Sequence, residues 1–551
     1  MPESILSGIL VCPICMSAFP SHHIPRWQQR VQSRKTRLQQ FVVTAQQMQA
    51  IESRIFASGM PVAALMEKVG GLIARRIQAL YPCDDRRSVV GHRISQIGVL
   101  VGPGHNGGDA LVVARELFSR GYRVNVFRPL TKAKSLTQDH FQYLQSLGIP
   151  VLENGLALAN QDVIVDGLFG FGLERPIEGE LKTLLDHINS VSVPVVSIDI
   201  PSGLHCDTGQ VLGTAIQATH TLCLGLWKSG LLQDSALDYV GQASLIDFDI
   251  PLKDIEAVLG TPDMLRITSQ SALSQLPLKR PPDTHKYRQG HALLIGGSQR
   301  YAGSIVLVAR GARATGVGML SIAVPQSLKS WVVSQVPEAL VIGCPETDAG
   351  AISHLPAELL LEQFDAVAYG PGVTTEASIV LQQVLESQCP LVLDADALSL
   401  LAQAESTWHH RSVPIILTPH PGEFRRLFPD FAQASLTKAE MARRAAQEVG
   451  AIVLLKGART VIADLDGSVL VNPESTPALA RGGSGDVLTG LIGGLFAQTQ
   501  KSEAVGAAVW WHAQAGRFVA QAATEMGVDP MTLSEQLLPA LQSILQAEAS
   551  S

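Results

Sequence analysis

Residues 97–118 read IGVLVGPGHNGGDALVVARELF, and this stretch decides the fold. Ile97–Val101 is a short apolar run with β-branched residues, as expected of a strand buried on both faces. The run breaks into Gly102-Pro103-Gly104-His105-Asn106-Gly107-Gly108-Asp109, and helical spacing begins at once over Leu111–Phe118. A glycine-rich turn from strand to helix exposes backbone N–H groups at the positive end of the helix, where a pyrophosphate docks. Gly107 and Gly108 are expected to let a ligand approach the backbone with no Cβ in the way. The competing reading makes Asn106 and Asp109 plain helix caps.

The same alternation continues beyond this turn. Val124–Phe127, Val163–Val165 and Val195–Ile198 read as buried strands, and Leu181–Ile188 has helical spacing. Strands alternating with helices predict βαβ units around a parallel sheet. Asp166 ends one strand, before Gly167-Leu168-Phe169-Gly170-Phe171-Gly172, and Asp199 ends the next, before Ile200-Pro201-Ser202-Gly203. Ligands of parallel sheets sit outside the carboxyl ends of the strands, so Asn106, Asp166, Asp199 and Ser202 are expected at one rim. Oxygen donors of this kind suit a hard, weakly held cation, and a carboxylate beside a bound ring suits proton transfer.

The pattern restarts after Pro251. Residues 251–280 contain Pro251, Pro262 and Pro277, show no clear strand, and read as a linker. A second strand series follows: Ala292–Ile295, Leu320–Val324, Ala366–Tyr369, Leu391–Leu393, Ile415–Leu417 and Ile452–Leu455. The expected organisation is an N-terminal extension over 1–41, one α/β domain over 42–250, the linker, and a second α/β domain over 281–551. No repeat with a solenoid period is present.

Arg481-Gly482-Gly483-Ser484-Gly485-Asp486-Val487-Leu488-Thr489-Gly490 is the second glycine cluster, flowing into helical spacing over Val487–Phe496. Its N–H groups would form an anion hole facing a transferring phosphoryl group, and Asp486 at the helix start would take the proton of an attacking hydroxyl. The bland alternative is a flexible loop with a capping Asp. The GxxxxGK[ST] pattern is absent, so this is not a P-loop. Polar punctuation recurs after the other strands: Gly296-Gly297-Ser298, Gly370-Pro371-Gly372, Asp394-Ala395-Asp396, Thr418-Pro419-His420-Pro421-Gly422-Glu423 and Lys456-Gly457.

Composition narrows the class. At 551 residues the chain exceeds one hydrophobic core, and 46% hydrophobic with 17% charged residues fits a well-packed protein. A net charge of −7 gives no footprint for nucleic acid, and no long uncharged apolar stretch predicts a membrane span. Seven scattered cysteines fit a reducing compartment, so a cytoplasmic location is expected. The apolar stretch Ile5–Phe19 follows Glu3 and precedes Arg26, Arg30, Arg34, Lys35 and Arg37, the reverse of a secretory signal. Cys12 and Cys15 with His22 and His23 nearby could be read as a zinc knuckle, but a single CxxC is weak support.

The strings HNGGD at 105–109, DGLFGFG at 166–172 and DIPSG at 199–203 together resemble the NAD(P)H-hydrate epimerase domain, over roughly 42–250. The resemblance implies a Rossmann-like three-layer α/β/α fold, a potassium ion held by Asn106, Asp166 and Ser202, and a substrate-contacting Asp199. It also implies substrate binding by His105, Asn106, Gly107, Gly108 and Asp109, and by the loop Gly170, Phe171, Gly172, Leu173, Glu174, Arg175 and Pro176. Two positions depart from the family pattern: His105 stands where an asparagine is usual, and Phe171 where a threonine is usual.

GGSGDVLTG, LDADAL and LTPHPGEF resemble the ribokinase-like superfamily, and within it the ADP-dependent NAD(P)H-hydrate dehydratase, over about 265–545. This implies a ribokinase-like α/β/α domain in which Gly372, His420 and Asp486 contact the hydrated cofactor. Ser304, at a position usually alanine, joins them. Lys456, Gly457, Ala458, Arg459, Thr460 and Gly485 would bind ADP, with Mg²⁺ bridging its phosphates. The two resemblances together imply an enzyme that epimerises the R and S hydrates of NADH and NADPH and dehydrates the S form at the expense of ADP. A small-molecule kinase joined to a non-catalytic N-terminal nucleotide-binding module is the alternative. Hydrated NAD(P)H and ADP are the expected partners, without nucleic acid or membrane, and a homo-oligomer is allowed.

Overall fold

The computed structural model describes residues 34–83, 96–404, 408–409 and 411–550. The Ile5–Phe19 stretch and the Cys12, Cys15, His22 and His23 group lie outside the described residues.

Ile97 and its neighbours form the strand Gln96–Val101, the second member of a six-stranded, all-parallel sheet. Its spatial order is Arg123–Phe127, Gln96–Val101, Val163–Gly167, Val195–Ile198, His220–Leu224 and Gln242–Ile246. The chain therefore moves outward in opposite directions from Gln96–Val101. The crevice between this strand and Val163–Gly167 is the topological switch point, where α/β sheets open a binding site. Both sequence motifs with glycines, 102–109 and 167–172, emerge there.

A ten-stranded sheet repeats the arrangement. Its order is Leu340–Cys344, Met319–Pro325, His291–Ile295, Ala366–Tyr369, Leu391–Leu393, Ile415–Leu417, Ile452–Leu455, Thr460–Ala463, Val469–Asn472 and Met264–Arg266. Thr460–Ala463 runs antiparallel to both neighbours, and the other pairings are parallel. Here the switch point lies between His291–Ile295 and Ala366–Tyr369, where the Gly297 amide donates to the Pro371 carbonyl at 2.9 Å. The chain is thus a two-domain α/β protein with parallel sheets flanked by helices.

Two segments outside the expected domains carry more structure than the sequence suggests. Residues 251–280 are not a linker without strands: they hold the helix Leu252–Leu259, the edge strand Met264–Arg266 and the helix Ser269–Gln275. The strand is only three residues long and only half buried, so its hydrophobic pattern was too short to register. Nor are residues 34–41 a detached extension. Leu38 and Phe41 are buried in the first core, and Arg34 pairs with Asp247 at 2.6 Å.

The two halves share packing. Beside the pairing of Val42–Val43 with Trp227–Lys228 inside the first half, Phe41 bridges to Leu265 and the Arg266 amide donates to the Gln40 carbonyl at 2.7 Å. Ile200, Leu204, Trp227, Leu231 and Leu232 lie in one continuous apolar cluster with Leu398, Phe424 and Val471 of the second half.

In the C-terminal half, helix Ala302–Ala314 crosses helix Ser484–Thr499 at a glycine contact. A Cβ on Gly311 would overlap the Val487 carbonyl oxygen, and one on Gly490 would overlap that of Val308. Because neither residue has a side chain, the backbones touch, and the first turns of both helices are held side by side.

Candidate active sites

The N-terminal rim is built on the switch point of the first sheet. Helix His105–Ser119 starts after Gly104 with no side-chain cap, so Asn106 and Asp109 lie inside its first turns and do not cap it. The glycines of this turn serve the protein more than a ligand. A Cβ on Gly107 would overlap the Gly102 carbonyl, and one on Gly108 would press within 2.6 Å of Met66. Their missing side chains let the turn close and the helix seat.

Asp166 is fully buried and accepts four hydrogen bonds, from Ser197 Oγ (2.8 Å), Ser202 Oγ (2.6 Å), and the amides of Ser202 (2.9 Å) and Leu168 (3.2 Å). Burial still lifts its carboxyl above the usual range against these donors. Ser202 Oγ in turn accepts from the Phe169 amide at 2.9 Å, tying the strand-end loops together. Asn106 Nδ2 is buried without a partner. An unpaired buried N–H is costly, and turning the amide over would aim an oxygen at the same place.

Asp199 is 3% exposed and adopts φ +68°, a strained backbone for any residue but glycine. It accepts from Lys228 Nζ at 2.5 Å and from the amides of Phe171 and Leu224 at 3.3 Å. Burial alone would lower the Lys228 ammonium, but the Asp199 carboxylate outweighs it and holds it above the ordinary lysine range. Two further carboxyls face this pair. Burial, opposed by Lys228 and reinforced by Asp199, pushes Glu52 up to about 7. Burial, with Glu52 and Asp199 adding repulsion, lifts Asp109 well above its usual value. Asp199 thus belongs to a group of three mutually repelling carboxyls, and it is the one paired with Lys228.

The loop expected to bind substrate divides. Gly170 lies against Asn106 and Asp199, and the Phe171 ring stands 5.9 Å from Lys228 Nζ. Leu173 packs into a separate apolar cluster, Glu174 reaches His205 at 3.5 Å, and Gly172, Arg175 and Pro176 are exposed. His105 is exposed, 3.4 Å from Lys134; burial of part of its ring and then that ammonium lower its pKa. A cleft of about 700 Å³ beside Tyr81, Pro194 and His220 opens at the amino ends of the strands, away from this chemistry.

The C-terminal rim centres on Asp486, in the first turn of Ser484–Thr499. The cap residue Gly483 is left-handed (φ +95°) and supplies no side-chain bond, so Asp486 sits within the helix and is not its cap. The glycine contact between the two helices brings Ser304 near it, and the Ser304 hydroxyl favours the charged form of the Asp486 carboxyl. Burial, then repulsion from Asp394, raises Asp486 to about 7, against the pull of Ser304 and Lys456. Gly372, with φ +71°, packs directly against Tyr301 and Ser304. Gly485 faces Lys456 Nζ and Asp394.

Asp394 and Lys456 form a buried ion pair at 2.7 Å, and Thr489 Oγ1 donates to the same carboxylate at 2.6 Å. Burial would raise Asp394, yet Lys456 holds it below the usual range; burial would lower Lys456, yet Asp394 holds it above. His420 caps the helix Pro421–Leu427: its Nδ1 accepts from the amides of Gly422 (2.9 Å) and Glu423 (3.3 Å). This cap fixes the tautomer, leaving the proton on the exposed Nε2. His512, buried and lowered to about 4 by desolvation, is neutral and bonds the Ser484 carbonyl at 2.9 Å.

Lys228 and Glu52 were not singled out in the sequence, and Asp394 stood out only as polar punctuation after a strand. A lysine between apolar residues in LGLWKSG is a usable signal for the first. Glu52 lies on an ordinary amphipathic helix, and nothing local marks it.

Two parallel sheets, each with polar groups gathered at its switch point, define a two-domain α/β enzyme whose C-terminal half is ribokinase-like. Residues 292–539 match the family described as NAD(P)H-hydrate dehydratase, and residues 62–230 match that described as YjeF-related protein N-terminus. The bifunctional NAD(P)H-hydrate repair enzyme Nnr of Thermosynechococcus vestitus is 54% identical over 506 residues, spanning 92% of this chain and 98% of that one. Its counterpart from Synechocystis is 50% identical over 511 residues, spanning 92% of this chain and 95% of that one. The ADP/ATP-dependent NAD(P)H-hydrate dehydratase of Bacillus subtilis, co-crystallised with ATP/Mg²⁺, is 31% identical with a TM-score of 0.44, covering 50% of this chain and 97% of that one. The chain belongs to the family of bifunctional NAD(P)H-hydrate repair enzymes.

Proposed function

We propose that the N-terminal rim interconverts the R and S hydrates of NADH and NADPH, and that the C-terminal rim dehydrates the S form with ADP. The observation that carries this reading is the pairing of Asp486, raised to about 7, with an uncapped glycine-rich helix start in a chain 54% identical to a repair enzyme.

In the C-terminal site, Asp486 takes the proton from the ring hydroxyl as its oxygen attacks the terminal phosphorus of ADP, and AMP departs. The backbone amides of the glycine turn hold the charge on the transferring group. The ring nitrogen's lone pair then expels phosphate, and loss of a proton from the neighbouring ring carbon restores NAD(P)H. Lys456, Gly457, Ala458, Arg459, Thr460 and Gly485 hold the nucleotide, while Gly372, Ser304 and His420 Nε2 face the hydrated ring. Mg²⁺, which keeps its waters and prefers phosphate oxygens, fits as an ion carried by the nucleotide; Asp394 is already committed to Lys456 and Thr489.

In the N-terminal site, Asp199 moves the proton at the hydrated ring, and Lys228 holds its charge and orientation. The oxygen-rich set of Asp166, Ser202 and a turned Asn106 fits a potassium ion, which would neutralise charge and brace the loops around the substrate. His105, Gly107, Gly108, Asp109 and the loop 170–176 would contact the substrate, Gly170 and Phe171 from beside Asp199 and Lys228. The free cysteines among the described residues (Cys83, Cys206, Cys223, Cys344 and Cys389) support a reducing, cytoplasmic setting.

The test is direct. Purified protein is mixed with the hydrates of NADH and ADP, and the near-ultraviolet absorbance of the dihydronicotinamide is followed. Full recovery from both epimers is expected. Recovery from neither would overturn the reading and favour a kinase, and recovery from the S form alone would overturn the epimerase half.

A further inference from the structure

Asp234 belongs to the N-terminal half, yet its carboxylate lies on the loop Lys456–Thr460 of the other half. Its Oδ1 accepts from the Arg459 amide at 2.7 Å, and its Oδ2 accepts from Lys438 Nζ at 2.9 Å. Lys438 Nζ also donates to the Arg459 carbonyl at 2.8 Å. Asp234 and Lys438 therefore grip both sides of one residue in that loop. The fit is tight: a Cβ on Gly457 would overlap Lys438 Nζ and come within 2.9 Å of Asp234 Oδ2.

The carboxylate is itself delivered by a fixed segment. Leu231, Leu232 and Ala236, on either side of it, are buried in the apolar cluster shared by the two halves. Gln233 Nε2 donates to Ser229 at 3.1 Å, and Ser235 Oγ to Gly209 at 3.0 Å. The Lys438 side chain is 11% exposed, so its charge depends on this partner more than a surface lysine would.

We propose that Asp234 is a positioning residue for nucleotide binding, by which the epimerase half shapes the ADP loop of the dehydratase half. This rests on reading Lys456–Thr460 as the nucleotide loop. A loop preformed by charge-assisted hydrogen bonds loses less freedom when ligand binds, so removing them raises the cost of binding before it touches chemistry.

The experiment uses the full chain. Asp234→Ala is expected to raise KM for ADP about tenfold, the size of a lost charge-assisted hydrogen bond, with kcat and the KM for the S hydrate little changed. Asp234→Asn keeps an acceptor for the Arg459 amide and should restore part of the affinity. Epimer interconversion should match the wild type in both. An unchanged KM for ADP in Asp234→Ala would overturn the proposal, as would an equal loss in Ala and Asn variants or a parallel fall in both activities. Amide exchange of the wild type with and without ADP separates the two readings. If residues 456–460 gain no protection from ADP, the loop assignment itself fails; if they do and KM is unmoved, only the role of Asp234 fails.

Discussion

The ammonium of Lys228 sits 2.5 Å from a carboxylate oxygen of Asp199, with side-chain exposures of 1% and 4%. Neither charge is tolerable there alone, and together they place a fixed carboxylate at a strained strand end, beside the loop that carries Phe171. Lys228→Met leaves that carboxylate buried and unpaired, and is expected to cost about 3–5 kcal/mol of stability together with epimerisation. Chemical denaturation measures the first, and exchange of the two epimers by NMR the second.

Asp199→Asn keeps the shape and removes the proton carrier. Epimer interconversion should fall to its spontaneous rate while the S hydrate is still dehydrated with ADP. Unchanged interconversion would show that another group, with Glu52 and Asp109 nearest at hand, moves the proton.

Asp486 works as a base only when deprotonated. With its carboxyl at about 7, kcat for dehydration should rise with pH through that value and level off above it. Ser304→Ala removes a hydroxyl that favours the charged form, so the rising limb should move upward by about half to one pH unit. Asp486→Asn should abolish dehydration and leave epimerisation intact.

Glu52 carries a stability signature with a defined sign. Its folded-state pKa of about 7 lies above the unfolded value, so the folded protein binds the proton more tightly. The resulting stability is complete below the unfolded pKa and is lost as pH rises through about 7. Glu52→Gln removes this dependence and should stabilise the protein at pH 8 by about 2 kcal/mol relative to wild type. Thermal melts at acid and alkaline pH, compared between the two proteins, check it.

Gly490→Ala puts a methyl group into the Val308 carbonyl. The helices must part, at a cost of at least ~2 kcal/mol, and the spacing of Ser304 from Asp486 changes with them. Dehydration should fall more than epimerisation in the folded variant.

Strand interiors were legible because they are continuous apolar runs: Ala366–Tyr369, Leu391–Leu393, Ile415–Leu417 and Ile452–Leu455 have in the structure the bounds that the sequence suggests. The strands Thr460–Ala463 and Val469–Asn472 escaped notice because they form a hairpin across a tight turn at Gly467, outside the strand–helix alternation. Met264–Arg266 is a half-buried edge, where periodicity says little. Among the site residues, those in glycine-rich turns announced themselves. Lys228 and Glu52 did not, since a buried charge is recognised by the partner it meets, and that partner is distant in sequence. His420 stood out between Pro419 and Pro421 in the sequence, but its capping of the following helix depends on the Glu423 backbone and side chain closing on it.

The apolar cluster that runs from Trp227 and Leu231 into Leu398 and Phe424 has a consequence for how this chain can be taken apart. A cut between the two sheets would not release two finished modules; each piece would present a raw oily face where its neighbour had been, and Met264–Arg266 would go with one side or the other at the expense of a sheet edge. Heat or denaturant should meet one melting unit where the gene suggests two, and a substitution that unfolds either half would end both activities.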